Sequence, residues 1–188
     1  MITFSESSKA PKIFNEKNLN ASWVGIDALK DVHVSFNGYG IADGETLHFP
    51  TAEMLKKSPK SFIKVMATTA GSKNKSALVR VIRENNGVTR DSWVNLSMFS
   101  RMANTEDGKR IFIDEARELL APMNDDSERL SYLLGKKVTC TGELDAYGPK
   151  FDRDTRQLVR DEEGKIVYIP AKYKTISIEE NAEENAEE

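Results

Sequence analysis

Few residues of this chain have the type and spacing that catalysis requires. His33, His48 and Cys140 are its only imidazole and thiol groups, too few and too scattered to build a zinc site. No Gly-rich loop ends in Lys-Ser/Thr to cradle a phosphate, and no Gly-x-Ser-x-Gly elbow presents a nucleophile. Asp27, Asp31, Asp43 and Glu45 lie in weakly patterned sequence without a companion motif, which reads as surface charge rather than an acid–base pair. His33 alternates with Val32 and Val34 as an outward strand residue. Cys140 falls on an apolar strand face, where a thiol behaves as a small core side chain. The pattern argues against an enzyme and implies no cofactor and no metal.

What remains is stacking chemistry. In the run Trp93–Phe99, alternate side chains of a strand share a face. Val94, Leu96 and Met98 are apolar and belong to a core. Trp93, Asn95, Ser97 and Phe99 point the other way and set two aromatic rings among small polar groups. Such a face can stack bases at ~1–3 kcal/mol each, irrespective of their sequence. Equally, the two rings can anchor a helix or the N-terminal segment packed over them.

Several elements must position that strand. Phe62 to Thr68 and Ala77 to Glu84 read as strands, the second rich in β-branched residues, with Asn86-Gly87 as a hairpin turn before the strand Trp93 to Ser100. Ile111 to Leu120 reads as helix, stopped by Pro122. A second helix starts near Asp125, with Glu128 in capping-box position, and ends at Gly135. Lys137 to Ala146 is a fourth strand, bent or bulged at Gly142. A charged loop then leads to a closing strand or strand pair, Ile166 to Ile178. Three strands, a helical connection and two strands are the order of a mainly β, five-stranded OB-type barrel, with the helical connection between strands 3 and 4. The expected organisation is an N-terminal extension over 1–57, an OB-type domain over 58–178 and a disordered acidic tail over 179–188. Within the extension, Val32 to Phe36 and Thr46 to Phe49 are expected to form a β-hairpin across Gly38, Gly40 and Gly44, and Thr51 to Lys57 a turn or two of helix.

The net charge of −3 divides unevenly. The last ten residues hold six glutamates, which leaves 24 Asp and Glu against 27 Lys and Arg in the body. A mildly basic body with an acidic tail fits a polyanionic partner. The lone cysteine forms no internal disulfide and fits a reducing, cytoplasmic compartment. No apolar run approaches the ~20 residues of a membrane helix, and the N-terminus lacks a signal pattern.

With these motifs assembled, the chain resembles bacterial and phage single-stranded-DNA-binding proteins. The resemblance rests on Ser92-Trp93 through Phe99-Ser100 with Arg101 and Ala103, on Leu134-Gly135-Lys136-Lys137-Val138 with Thr141-Gly142-Glu143-Leu144, on the long basic and aromatic loop, and on the acidic end. It covers roughly residues 60–178 and the tail in outline. It implies an OB fold that binds single-stranded DNA in replication, repair or recombination, with Trp93 and Phe99 stacking on bases. Three features depart from the family. Asn95 stands where a basic residue is usual. The tail ends in Glu187-Glu188, without an apolar tip to recruit replication or recombination proteins. The first 55–60 residues have no counterpart in the short bacterial forms.

Phosphate neutralisation supplies much of the affinity of such proteins. The candidate cations are Lys64, Lys73, Lys75, Arg80, Arg83, Arg90, Lys136 and Lys137. In the loop after the fourth strand, Tyr147, Lys150, Phe151, Arg153, Arg156 and Arg160 combine charge with stacking surface. The tail glutamates are expected to compete with DNA for this basic surface at high effective concentration. The remaining alternative is a structural or assembly protein, a virion or complex subunit that uses the aromatic face as a protein interface and can itself form homo-oligomers.

Overall fold

The computed structural model describes residues 20–23, 41, 43–67 and 75–180, together with Phe4 and Ile26. The expected strand at Val32–Phe36, the glycines Gly38 and Gly40, Lys73 and the tail beyond Glu180 lie outside them. The fold is mainly β, an open antiparallel sheet with short helices on one side.

The sheet is organised around two long hairpins. β4 (Lys75–Asn85) and β5 (Val88–Asn95) turn at Asn86-Gly87. Both turn residues have positive φ, 50° and 78°, as a tight two-residue hairpin requires. β8 (Lys136–Pro149) and β9 (Tyr168–Glu180) pair along their whole length, with a register shift between Cys140 and Gly142. The bulge expected at Gly142 is therefore present.

One interrupted strand joins the hairpins. β2 (Thr46–His48) and β3 (Ile63–Ala67) run in the same direction along one edge of β4, Thr46 opposite Glu84 and Ile63 opposite Val79. The Arg80 amide donates to the Phe62 carbonyl at 2.9 Å and continues the ladder between them. The interruption is the excursion through α1 (Ala52–Lys57), where Thr51 accepts a cap bond from the Met54 amide. Pro50 and Pro59 bracket it, and neither can donate to a ladder. β2 also pairs with β8, Leu47 opposite Val138. Its partners among the described residues are thus β4 and β8, not a local hairpin. The sheet begins well before residue 58, and the expected domain boundary moves accordingly. A further strand, β1 (Asn20–Trp23), borders β3.

After β5 the chain leaves the strand. Asn95 accepts from the Ser97 amide at 3.0 Å, and the Ser100 hydroxyl donates to the Ser97 carbonyl, so Leu96–Ser100 coils into a 3-10 turn. Short polar side chains that bond their own backbone compete with a ladder, which is why the strand expected to reach Ser100 stops at Asn95. β6 (Met102–Asn104) and β7 (Arg110–Phe112) then form a small hairpin. Asp114 caps α2 (Glu115–Leu120), and Asp125 caps α3 (Asp126–Leu133) by accepting from the Glu128 amide. The residues expected to begin the first helix, Ile111 and Phe112, are strand instead. Gly135, at φ 73°, ends the second helical segment.

Leu47, Ile63, Val79, Val81, Val94, Leu96, Leu120, Leu130, Leu133 and Val138 fill the core between the sheet and the helices. Taking β2 and β3 as one strand, the order across the sheet is β5, β4, β2/β3, β8, β9. The two end strands share no ladder among the described residues. Arg117 spans the seam instead. Its Nε donates to the Met98 carbonyl and its Nη1 to the Lys174 carbonyl on β9, while Asp114 accepts from the Ile176 amide and pairs with Arg117. Burial pushes the Asp114 carboxyl up and the Arg117 guanidinium down. The pair persists because every donated bond has an acceptor, and it blunts the open edge of β9.

Candidate nucleic-acid interface

The expected stacking face is interior. Trp93 is 1% exposed, Phe99 0% and Asn95 2%. Phe99 rides the 3-10 turn into the main core beside Leu96. Trp93 stays on the opposite face of β5, across from Arg80 and alongside Leu78 and Ile82. The two rings therefore share no surface, and neither presents a face to a base. The physical reason is that β4 over residues 77–83 and β5 over residues 93–95 are buried on both sides, so alternation there separates two interiors rather than an inside from an outside.

The expected cations of this region are internal as well. Lys64, Arg80 and Arg83 are buried. Arg80 pairs with Asp91 at 3.3 Å, and Arg83 with the buried Glu45 at 2.5 Å. Arg90 is exposed, but its tip reaches the same Glu45 at 3.3 Å. Lys136 donates to the Tyr132 carbonyl and lies 4.1 Å from that ring's centroid, and Lys137 pairs with Glu179. The side chain of Lys75 lies outside the described residues.

The distal end of the β8–β9 hairpin presents the opposite situation. Leu144, Ala146 and Gly148 lie opposite Tyr173, Ala171 and Ile169, and their face packs in part on Ala103, Ile111 and Ile113 of the β6–β7 region. A Cβ on Gly148 would fall 2.5 Å from the Tyr173 hydroxyl, so a side chain there would have to displace the Tyr173 ring. With that face occupied, the other carries Tyr147 and Pro149 on β8 and Tyr168, Pro170 and Lys172 on β9. Phe151 continues the same alternation and bridges Leu158. Phe151 is 55% and Tyr168 41% exposed. Asn104 of β6 lies opposite Tyr147 and pairs in turn with Arg110, which brings an exposed cation to the same side.

The loop 150–167 is folded rather than loose. Lys150 donates to the Val167 carbonyl, Val159 to that of Lys150, and Val167 to that of Val159, at 2.8 to 3.0 Å. Asp152 accepts from the amides of Asp154 and Thr155, and Asp161 from those of Glu163 and Lys165. These acceptor bonds hold the Asp152 carboxyl below its ordinary value. Two of the loop's five acids thus serve its turns, and Glu163 pairs with Lys165. Arg160 donates to the Gly164 carbonyl. Lys150, Arg153 and Arg156 are exposed and make no ion pair with a described residue. Of the residues expected at an interface, the structure brings together Tyr147, Lys150, Phe151, Arg153 and Arg156. Tyr168, Lys172 and Arg110 join them without having been expected. The alternation Tyr168-Pro170-Lys172 was a readable strand signal for the first two.

Glu180 lies opposite Lys136, at the end of the hairpin away from the loop. The acidic tail that follows lies outside the described residues.

Cys140 is buried and its thiol is pushed up by burial, in keeping with a core role. Among the described residues no group of three His, Cys, Asp or Glu is placed to hold a metal ion, and no helix is long and apolar enough to cross a membrane. Among the described residues the fold is mainly β, and the distal β8–β9 hairpin carries exposed aromatic and basic side chains. Comparison with family models, curated proteins and solved structures finds no match to this chain.

Proposed function

We propose that the protein binds single-stranded DNA without sequence preference, through the free face of the β8–β9 hairpin rather than through Trp93 and Phe99. The observation that carries this reading is the exposed pair Tyr168 and Phe151, with the half-buried Tyr147 in line, beside Lys150, Arg153 and Arg156. Rings on an extended, rigid support offer π faces to successive bases, and unpaired cations alongside them neutralise the backbone. The architecture supports the reading. A helical connection between the third and fourth strands, with the third and fifth at opposite ends of the sheet, is consistent with an OB-type barrel left open at one seam. The loop between strands four and five is one of the places where that fold takes oligonucleotides.

The test is fluorescence anisotropy of a labelled oligo-dT with the wild-type protein and the Phe151→Ala/Tyr168→Ala double variant, at low and high salt. Binding that weakens with salt and is lost in the variant supports the reading, and wild-type affinity in the variant refutes it. Exposed Leu158 and Ile169 on the same hairpin favour a second reading, a protein–protein assembly surface. Light scattering at micromolar concentration separates the two, since that reading requires an oligomer that the same double variant dissolves.

A further inference from the structure

The small hairpin β6–β7 extends the free face of β8–β9 and adds an amide to it. Asn104 on β6 lies opposite Tyr147 on β8 and opposite Arg110 on β7, so its side chain shares their face. Ala103 and Ile111 alternate to the other face, where they pack with Ala146 and Ile113. Asn104 is only 6% exposed. Met102, Phe112 and Tyr147 beside it are half-buried and Arg110 is exposed, so this enclosure opens at the surface. Among the described residues the Asn104 amide makes no hydrogen bond. An enclosed amide without partners is costly, because it has given up its bonds to water. A leucine of similar volume among Met102, Phe112 and Tyr147 would carry no such cost. The amide is set to meet a group from outside that brings a donor beside an acceptor.

We infer that Asn104 is a specificity-determining residue that hydrogen-bonds the pairing edge of an unpaired base held beside Tyr147. Every nucleobase sets a donor next to an acceptor on that edge, and unstacked bases are read along it. The amide presents its own donor and acceptor in either order by turning about its terminal torsion. The contact therefore tolerates any base. It refuses a base in a duplex, whose edge is already taken by the complementary strand. Stacking and phosphate contacts hold the strand, and Asn104 checks that its bases are free. This role rests on the proposed single-strand binding of the hairpin and names what that site recognises.

The experiment titrates the full chain with labelled oligo-dT and with the same oligomer carrying difluorotoluene in place of thymine, a ring of like shape that stacks but forms no base-pair hydrogen bonds. Wild type should bind the thymine oligomer about tenfold more tightly, as for a two-bond base contact. Asn104→Leu should lose that preference and melt at or above the wild-type temperature, since no internal bond is broken. Should Asn104→Leu fold poorly, Asn104→Ala takes its place with the same two oligomers. Equal affinity of wild type for both oligomers, with binding still lost in Phe151→Ala/Tyr168→Ala, overturns the role of Asn104 and leaves the hairpin reading intact. A preference for thymine that survives in the Asn104 variant overturns it as well. No binding of either oligomer by wild type overturns both readings.

Discussion

β5 and the distal β8–β9 hairpin both carry aromatic residues at alternating strand positions, and the fold treats them oppositely. Trp93 is enclosed, and Phe99 leaves the strand altogether for the core. Tyr147, Phe151 and Tyr168 stay at the surface because Tyr173, Ala146 and Gly148 have taken the inner face and nothing described covers the outer one. The difference lies in what sits behind each sheet rather than in residue type. Alternation reports exposure only where one face meets water. The arginines follow the same rule. Arg80 and Arg83 sit beside buried carboxylates and hold strands together, whereas Arg153 and Arg156 meet solvent.

This contrast can be broken at several points. The largest effect is expected at the seam. Arg117→Met leaves the Asp114 carboxylate and two backbone carbonyls without their donor, and removing one partner of a buried pair costs about 3–5 kcal/mol. Urea unfolding should show that loss, and a midpoint within error of wild type would show that Arg117 is not what ties β9 to the turn after β5. Trp93→Ala should cost a comparable ~3–5 kcal/mol through the cavity it leaves, while the folded fraction keeps its oligo-dT affinity. A normal melting temperature with lost binding would restore Trp93 as a contact residue.

On the hairpin the expectations reverse. Tyr168→Ala should leave stability within about 0.5 kcal/mol, as for surface sites generally, and weaken oligo-dT binding by ~1–3 kcal/mol. Calorimetry and anisotropy on the same sample measure both. Replacing Lys150, Arg153 and Arg156 together by Ala should flatten the log–log salt slope by about 2, at ~0.7 per single-strand phosphate contact. An unchanged slope would remove these cations from the path of the strand.

The smallest effect is a local one with pH. Asp152 is held below the ordinary value of 3.8 by the amides of Thr155 and Asp154. A depressed carboxyl stabilises the folded turn fully above the unfolded-state value and loses that contribution as pH falls through the folded one. Protection of the Asp154 and Thr155 amides, relative to their intrinsic exchange rate at each pH, should therefore fall on acidification below about pH 4, ahead of protection in the β4–β5 core. Simultaneous loss in both places would mean that the loop has no stability of its own.

Much of the architecture was legible along the chain because it is encoded locally. Asn86-Gly87 supplies the positive φ values of a tight turn, Asp125 and Glu128 are spaced to cap a helix, Gly135 stops it, and Gly142 lies at the bulge. The loop residues Tyr147, Lys150, Phe151, Arg153 and Arg156 were legible as a group because cations and rings are interleaved there. Leu96 to Ser100 read as strand from their alternation, but the backbone-directed hydrogen bonds of Asn95 and Ser100 decide that segment. The role of Thr46–His48 was not readable either, since its partners lie far away in sequence on β4 and β8.

By itself, then, the sequence determined the order of the longer strands and the two helices between them, several turns and caps, and a basic, aromatic loop late in the chain. Each depends on backbone preferences and spacings within a few residues. Only the tertiary structure decided which rings face water and which arginines are already paired. Burial and pairing belong to the surfaces that come together on folding. Trp93 shows this most plainly, because it reads correctly as a strand residue while its exposure is set by what packs on the other side of the sheet.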